Sequence, residues 1–163
     1  MTGLANRRVF DEQLQEWLVA WHRDQVPVSI LLFDVDHFRG FNNDYGHQAG
    51  DAVLTQVAHA LKRSMGENDL VSRIGGEEFV VIIDRDSRAS AQTLAERARR
   101  EIEQAGFGFE DQQLRVTVSV GDAESQSSEN ASALIKRADV ALYASKSTAA
   151  MSDTGTTERG QFP

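Results

Sequence analysis

Apolar residues recur along this chain in two periods, and the switches between them mark out the elements. Phe10, Leu14, Trp17, Leu18 and Trp21 fall on one face at helical spacing. Pro27 then marks a turn. Residues 28–33 are almost uninterruptedly apolar and predict a buried strand ending at Asp34-Val35-Asp36. Residues 37–50 mix Asn42-Asn43-Asp44 with glycines and predict a short helix and a turn. Over 51–65, Ala52, Val53, Val57, Ala60 and Leu61 share a helical face. Residues 69–74 and 79–83 read as short strands, and Gly75-Gly76-Glu77-Glu78 between them as a tight hairpin. A helix is expected over 88–105, from Arg88, with Ala91, Leu94, Ala95, Ala98 and Ile102 inward. Leu114, Val116, Val118 and Val120 alternate with Arg115, Thr117 and Ser119, the pattern of one half-buried strand. Asn130 is placed to cap a last helix whose core face is Leu134, Ile135, Ala138, Ala141 and Leu142. Residues 147–163 are mostly small or polar and predict a frayed tail. Helices packed on one antiparallel sheet, in this order, predict an α+β domain of ferredoxin-like type.

Composition narrows the function classes. The 163 residues suffice for one ordinary domain, and 40% apolar with 26% charged residues is a soluble globular profile. Lys and Arg number 17 against 25 Asp and Glu, a net charge of −8. That balance argues against a nucleic-acid partner, which calls for a positive face. No apolar run approaches the roughly 18 residues of a membrane-spanning helix, so no direct membrane insertion is expected. Met1-Thr2-Gly3 leads straight into an amphipathic pattern with no visible signal peptide. The absence of cysteine removes disulfides, thiolate catalysis and cysteine metal sites, and is compatible with the reducing cytoplasm.

Two acidic features carry candidate chemistry. Asp34 and Asp36 end an apolar strand, and Glu77 and Glu78 sit at a hairpin tip. If the hairpin lies beside the first strand, four carboxylates approach one another and repel. A divalent cation relieves that repulsion, and oxygen ligands with open positions suit Mg²⁺, which takes one or two carboxylates plus substrate phosphates. Two such ions about 3.5–4 Å apart stabilise the attacking and leaving oxygens of a phosphoryl displacement. Alone, Asp-x-Asp also reads as a solvated turn and Gly-Gly-Glu-Glu as an exposed tip; together, with the glycines, they point to a site. Glycine leaves room for a ligand to approach the backbone, and N–H groups of residues 36–39 at a helix start suit phosphate. No Gly-x-x-x-x-Gly-Lys-Ser/Thr run occurs, so this is not a P-loop protein.

Gly75-Gly76-Glu77-Glu78-Phe79 resembles the signature of GGDEF domains, the catalytic domains of diguanylate cyclases, in its GGEEF form. Thr2-Gly3-Leu4-Ala5-Asn6-Arg7-Arg8 is similar to the family's opening turn, and Phe33-Asp34-Val35-Asp36-His37-Phe38 to its D-x-D-x-F-K strand end. Asn42, Tyr45-Gly46-His47 and Gly50-Asp51 follow its N-D-x-x-G-H-x-x-G-D run. Val118-Ser119-Val120-Gly121 and the stretch from Ala138 to Lys146 follow its later motifs. The resemblance places a catalytic domain at residues 1–148, of nucleotidyl-cyclase type, and a flexible tail at 149–163.

The resemblance implies a cytoplasmic, Mg²⁺-dependent enzyme that condenses two GTP into cyclic di-GMP and two pyrophosphates. Each protomer of a transient homodimer would hold one GTP. Asp34 and Glu77, with the Val35 carbonyl and Glu78, would hold two Mg²⁺ per site, with Mn²⁺ as a substitute. Asp34, Glu77 and Glu78 would thus be the catalytic carboxylates, Glu78 activating the ribose 3′-hydroxyl. Asn42 and Asp51 would hydrogen-bond guanine, and a site so built would reject adenine. Phe38 and Arg39 would supply phosphate contacts, and Lys146 a cation against the triphosphate. Without the resemblance, Asn42 and Asp51 read equally as turn and cap residues, and Lys146 as a solvated charge near a helix end. His37 and His47 read as packing or hydrogen-bonding residues, since neither has a second histidine at metal spacing on one helix.

Four positions depart from the family pattern. Arg39 replaces lysine, a planar fork in place of a compact ammonium. Asn43 replaces aspartate, a minor change. Ala150 replaces the arginine of the last motif, and a lost charge-assisted phosphate contact costs about 1.5–3 kcal/mol. Gly66 replaces the arginine of the product-inhibition motif Arg-x-x-Asp, leaving Asp69, with Arg97 as a second inhibitory-site arginine. Inhibition by cyclic di-GMP through that site is therefore not expected. The alternative to an active cyclase is a degenerate domain that binds GTP or a partner without turnover. An upstream sensory or receiver module, which would promote dimer formation and could tether the parent protein to a membrane, is expected outside this chain.

Overall fold

A computed structural model describes residues 2–84 and 90–156. In chain order the elements are α1 (Arg7–Asp24), β1 (Ser29–Val35), α2 (Phe38–Tyr45), α3 (His47–Ser64), β2 (Leu70–Arg73), β3 (Glu78–Ile83), α4 (Ala91–Gln104), β4 (Phe107–Phe109), β5 (Gln112–Leu114), β6 (Val118–Glu124) and α5 (Ala131–Thr156). β1 is buried at every position after the first. It is apolar from Ile30 to Phe33 because it is an inner strand with both faces covered. Leu31, Phe33 and Val35 point into one core layer, Ile30 and Leu32 into the other, the period-two alternation of a strand. β3 divides in the same way, Phe79, Val81 and Ile83 against Val80 and Ile82. The main sheet runs β2-β3-β1-β6 with every pairing antiparallel, the expected ferredoxin-like arrangement. α2, α3 and α4 cover one face, α1 and α5 the other.

Local chemistry fixes the helix ends. Asn6, Ser90 and Asn130 each accept from an N–H three residues on, as caps do. α2 and α3 are separated only by Gly46, whose φ of 89° ends one helix and starts the next. α3 therefore begins at His47, a turn before the expected residue 51. α4 starts at Ala91 behind its Ser90 cap, while the expected start at Arg88 lies outside the described residues.

Two expectations are corrected. The alternating run 114–120 is not one strand. Its first residue, Leu114, ends β5, which pairs with the unforeseen β4 in a separate ribbon, and β6 starts at Val118. The residues between hold Asp36: its N–H donates to the Thr117 carbonyl at 2.9 Å. Alternation of side chains survives such a break, so sequence periodicity does not reveal it. The frayed tail expected from residue 147 is also absent up to Thr156, because α5 runs that far. Ala149 and Ala150 favour helix, and Ser147 and Thr148 donate their hydroxyls to the carbonyls of Tyr143 and Ala144. Residues 157–163 lie outside the described residues. Among the described residues no helix is long and apolar enough to cross a membrane.

α5 crosses β6 at close range. A Cβ on Gly121 would lie 2.2 Å from the Leu142 nitrogen and 2.3 Å from the Ala138 oxygen. Only glycine admits that approach, and it sets the height at which the far end of α5 passes the sheet.

Candidate active site

The end of β1 carries a carboxylate into a place where few stand. Asp34 is 6% exposed. It lies on the α5 side of the sheet, opposite Glu78 of β3 and Ser119 of β6. An unpaired charge there would be costly. Lys146 of α5 meets it, with Nζ 2.7 Å from Asp34 Oδ1.

The hairpin brings further negative charge. Val35 N–H donates to the Glu77 carbonyl at 3.2 Å, and Ile74 N–H to the Glu78 carbonyl at 3.0 Å. The Glu77 carboxyl is pushed above the ordinary carboxylate range, first by burial, then by the charge of Asp34 and more weakly of Glu78, while Lys146 pulls the other way. The repulsion expected of clustered carboxylates is therefore present at Glu77. A Cβ on Gly75 would lie 2.6 Å from Glu78 Oε2, so the glycine makes room for that side chain.

Of the four expected carboxylates, Asp34, Glu77 and Glu78 come together and Asp36 is engaged elsewhere. Thr117 and Ser119 donate their hydroxyls to its two oxygens, each at 2.7 Å. Among the described residues no group of three or more His, Asp or Glu side chains is arranged to hold a metal ion by itself. Asp34, Glu77, Glu78 and the Val35 carbonyl nevertheless fit a hard cation that draws its remaining ligands from substrate oxygens and water. Their oxygen-only donor set and the charge strain at Glu77 are what such an ion relieves.

Arg73 is a residue that sequence reasoning missed. Its guanidinium donates from Nε to the Gly75 carbonyl at 3.2 Å and from Nη2 to the Gly76 carbonyl at 2.6 Å. Its own N–H donates to the Ala5 carbonyl, beside the bridge between Ala5 and Ser72. It thus clamps the turn that presents Glu77. An arginine two positions before a Gly-Gly turn is the signal that was available.

A second part of the site lies between α2 and α3. Asn42 sits over Gly50, where a Cβ would fall 1.8 Å from Asn42 Oδ1 and 3.2 Å from Phe38 Cζ. That Oδ1 is buried without a hydrogen-bond partner. An orphaned buried acceptor is costly and uncommon, and marks a place where a donor belongs. Asp51 stands exposed one turn into α3, and Arg39 exposed in the first turn of α2. Phe38 faces the core, so its backbone is what it can offer a phosphate. α2 opens after His37, at a left-handed φ of 54°, without a side-chain hydrogen bond capping its first turn. His47 begins α3, exposed.

The residues that the resemblance matched to an inhibitory motif make hydrogen bonds within the domain. Asp69 accepts the Gly66 N–H at 2.6 Å and the Asp84 N–H at 2.7 Å. The Arg97 guanidinium donates to the Ser64 carbonyl.

Residues 1–152 match the family described as diguanylate cyclase, GGDEF domain. The chain is 38% identical over 146 residues to diguanylate cyclase DgcP of Pseudomonas aeruginosa, covering 90% of this chain and 22% of that protein. It is 39% identical over 150 residues to diguanylate cyclase A of Treponema denticola, covering 90% of this chain and 40% of that protein. The chain therefore spans less than half the length of these relatives. Among solved structures it is similar to the GGDEF domain of DgcB from Caulobacter crescentus in complex with c-di-GMP, with TM-score 0.86, 35% identity, and coverage of 91% of this chain and 86% of that one. It is equally similar, TM-score 0.86 at 35% identity, to diguanylate cyclase SiaD of Pseudomonas aeruginosa in complex with its activator SiaC, over 90% of this chain and 56% of that one.

Proposed function

Because the chain belongs to the GGDEF family of diguanylate cyclase domains, we propose that it condenses two GTP into cyclic di-GMP, releasing two pyrophosphates. Two copies of the domain face each other, each holding one GTP. The 3′-oxygen of each ribose forms a bond to the α-phosphorus of the other nucleotide, and the bond from that phosphorus to pyrophosphate breaks. Asp34, Glu77, Glu78 and the Val35 carbonyl would hold two Mg²⁺, with Mn²⁺ as a substitute, and the ions would offset triphosphate charge and stabilise the attacking and leaving oxygens. Glu78 accepts the proton of the 3′-hydroxyl. Asn42 and Asp51 read the guanine edge, Gly50 keeps the space over Asn42 open, and Arg39, the Phe38 backbone and Lys146 meet phosphate. The reaction belongs in the cytoplasm, where GTP is available, and an upstream sensory or receiver module promotes the pairing.

The observation that carries this reading is the convergence of Asp34, Glu77 and Glu78 beside Lys146. A carboxylate group under mutual repulsion, with one ammonium against it, is suited to a metal-bound polyphosphate. Incubation with GTP and Mg²⁺ followed by nucleotide chromatography tests it. Cyclic di-GMP is expected, and its loss in Glu78→Ala. One observation favours a second reading, a domain that binds GTP without turnover: Ala150 stands where the family carries a phosphate-binding arginine. GTP binding with no product would select that reading.

A further inference from the structure

The proposed chemistry leaves Asp36 unused, yet it is among the most firmly held side chains at this end of the sheet. Both of its oxygens accept hydroxyls, from Thr117 and Ser119, at 2.7 Å each. Its N–H donates to the Thr117 carbonyl at 2.9 Å. That bond adds a rung to the β1–β6 ladder, whose last paired residues are Val35 and Val118. Thr117 itself lies in the break between β5 and β6. Immediately after Asp36 the chain turns through His37 in the left-handed region, and α2 begins. Three bonds to one short segment thus fix the joint between the strand that carries Asp34 and the helix that carries Arg39 and Asn42.

We propose that Asp36 is a positioning residue, clasped by Thr117 and Ser119, which sets the place of α2 and hence of Arg39 and Asn42 relative to the carboxylates of β1 and β3. The inference rests on the nucleotide-binding role proposed above for α2. Two hydroxyl donors hold the carboxylate in this post, which explains why it does not join Asp34 and Glu77. Ser119 also faces Asp34 across the β1–β6 ladder, whereas Thr117 lies beyond its last pair, so removing the Thr117 hydroxyl acts on the nucleotide end of the site and leaves the metal end in place.

The test compares Thr117→Val combined with Ser119→Ala against Thr117→Ser, which keeps the hydroxyl. Thr117→Val alone is expected to raise the KM for GTP while kcat and the Mg²⁺ requirement change little, the double variant to raise that KM about tenfold, and Thr117→Ser to behave as the wild type. Amide hydrogen exchange over residues 38–42, measured without nucleotide, is expected to quicken in the double variant while β3 amides are unaffected. If the double variant does not fold, Thr117→Val alone serves, since Thr117 is exposed. Unchanged KM and unchanged exchange in a folded variant overturn the proposal, as does Thr117→Ser behaving like Thr117→Val. If the wild type yields no cyclic di-GMP, the catalytic reading fails by itself. The clasp is then decided by exchange together with calorimetric GTP affinity, expected to weaken about tenfold in the variant.

Discussion

At Gly50 and Glu77 a single atom or charge separates function from stability. A Cβ at Gly50 would strike Asn42 Oδ1, the end of a side chain that can swing aside. The helix itself would gain up to about 1 kcal/mol from alanine in place of glycine. Gly50→Ala is therefore expected to leave thermal stability within about 1 kcal/mol of the wild type and to weaken GTP binding about tenfold or more, because the oxygen proposed to read guanine is displaced. Calorimetry and melting curves on one sample check both halves. Glu77 gives a pH prediction. Its carboxyl titrates higher in the folded than in the unfolded chain, so the folded state holds more protons. Stability then falls as pH rises from the unfolded value, about 4.3, through the folded one, and stays lowered above it. Glu77→Gln, without divalent cations, should melt higher than the wild type at pH 7 and lose that advantage near pH 4. Metal-supported turnover should fall in the same variant. A lower melting temperature at pH 7 would contradict the charge-strain account. Clustered carboxylates foretold repulsion at Glu77, but its largest cause, burial, was not legible in residue order, and neither was the orphaned Asn42 oxygen, which depends on a close approach between two helices.

At the scale of elements, periodicity located nearly every helix and strand of the main sheet, because apolar faces packed on both sides of that sheet leave their spacing in the chain. It failed where hydrogen bonds rather than burial decide. The break between β5 and β6 exists because Thr117 turns to Asp36. The β4–β5 ribbon is too short to show a period, and α5 outlasts its apolar face because Ala149 and Ala150 favour helix without needing to be buried. The close approach of α5 to β6 at Gly121 was legible only as a motif residue. There the clash is with backbone atoms of Leu142 and Ala138, which cannot swing aside. Gly121→Ala is expected to cost about 1–3 kcal/mol or more, read by denaturant unfolding. It should also lift α5 and carry Lys146 away from Asp34, so residual activity should require more GTP. Unchanged stability would show that α5 sits further from the sheet than described.

At the scale of the molecule, both helical layers contribute residues to the sheet end where the site lies. The α2–α3 layer brings Asn42, Asp51 and Arg39, the inner strands bring Asp34 and Glu78, and α5 from the opposite layer brings Lys146. Element order made that convergence foreseeable. The engagement of Asp36 and the clamp from Arg73 were not, since both depend on side-chain direction at the sheet end. The net charge of −8 then has a local meaning: a triphosphate can approach this acidic chain only where cations face it. α5 supplies Lys146, and one helical turn later it presents Ala150, exposed. Positions four apart share a helical face, and α5 is still helical there. A side chain at 150 would therefore be held beside Lys146, where a frayed tail would have let it wander. Ala150→Arg is accordingly expected to add a charge-assisted phosphate contact of about 1.5–3 kcal/mol. GTP affinity measured with Mg²⁺ should rise about tenfold or more, whereas Ala150→Glu should lower it. Equal affinities in both variants would mean that this turn of α5 does not face the nucleotide.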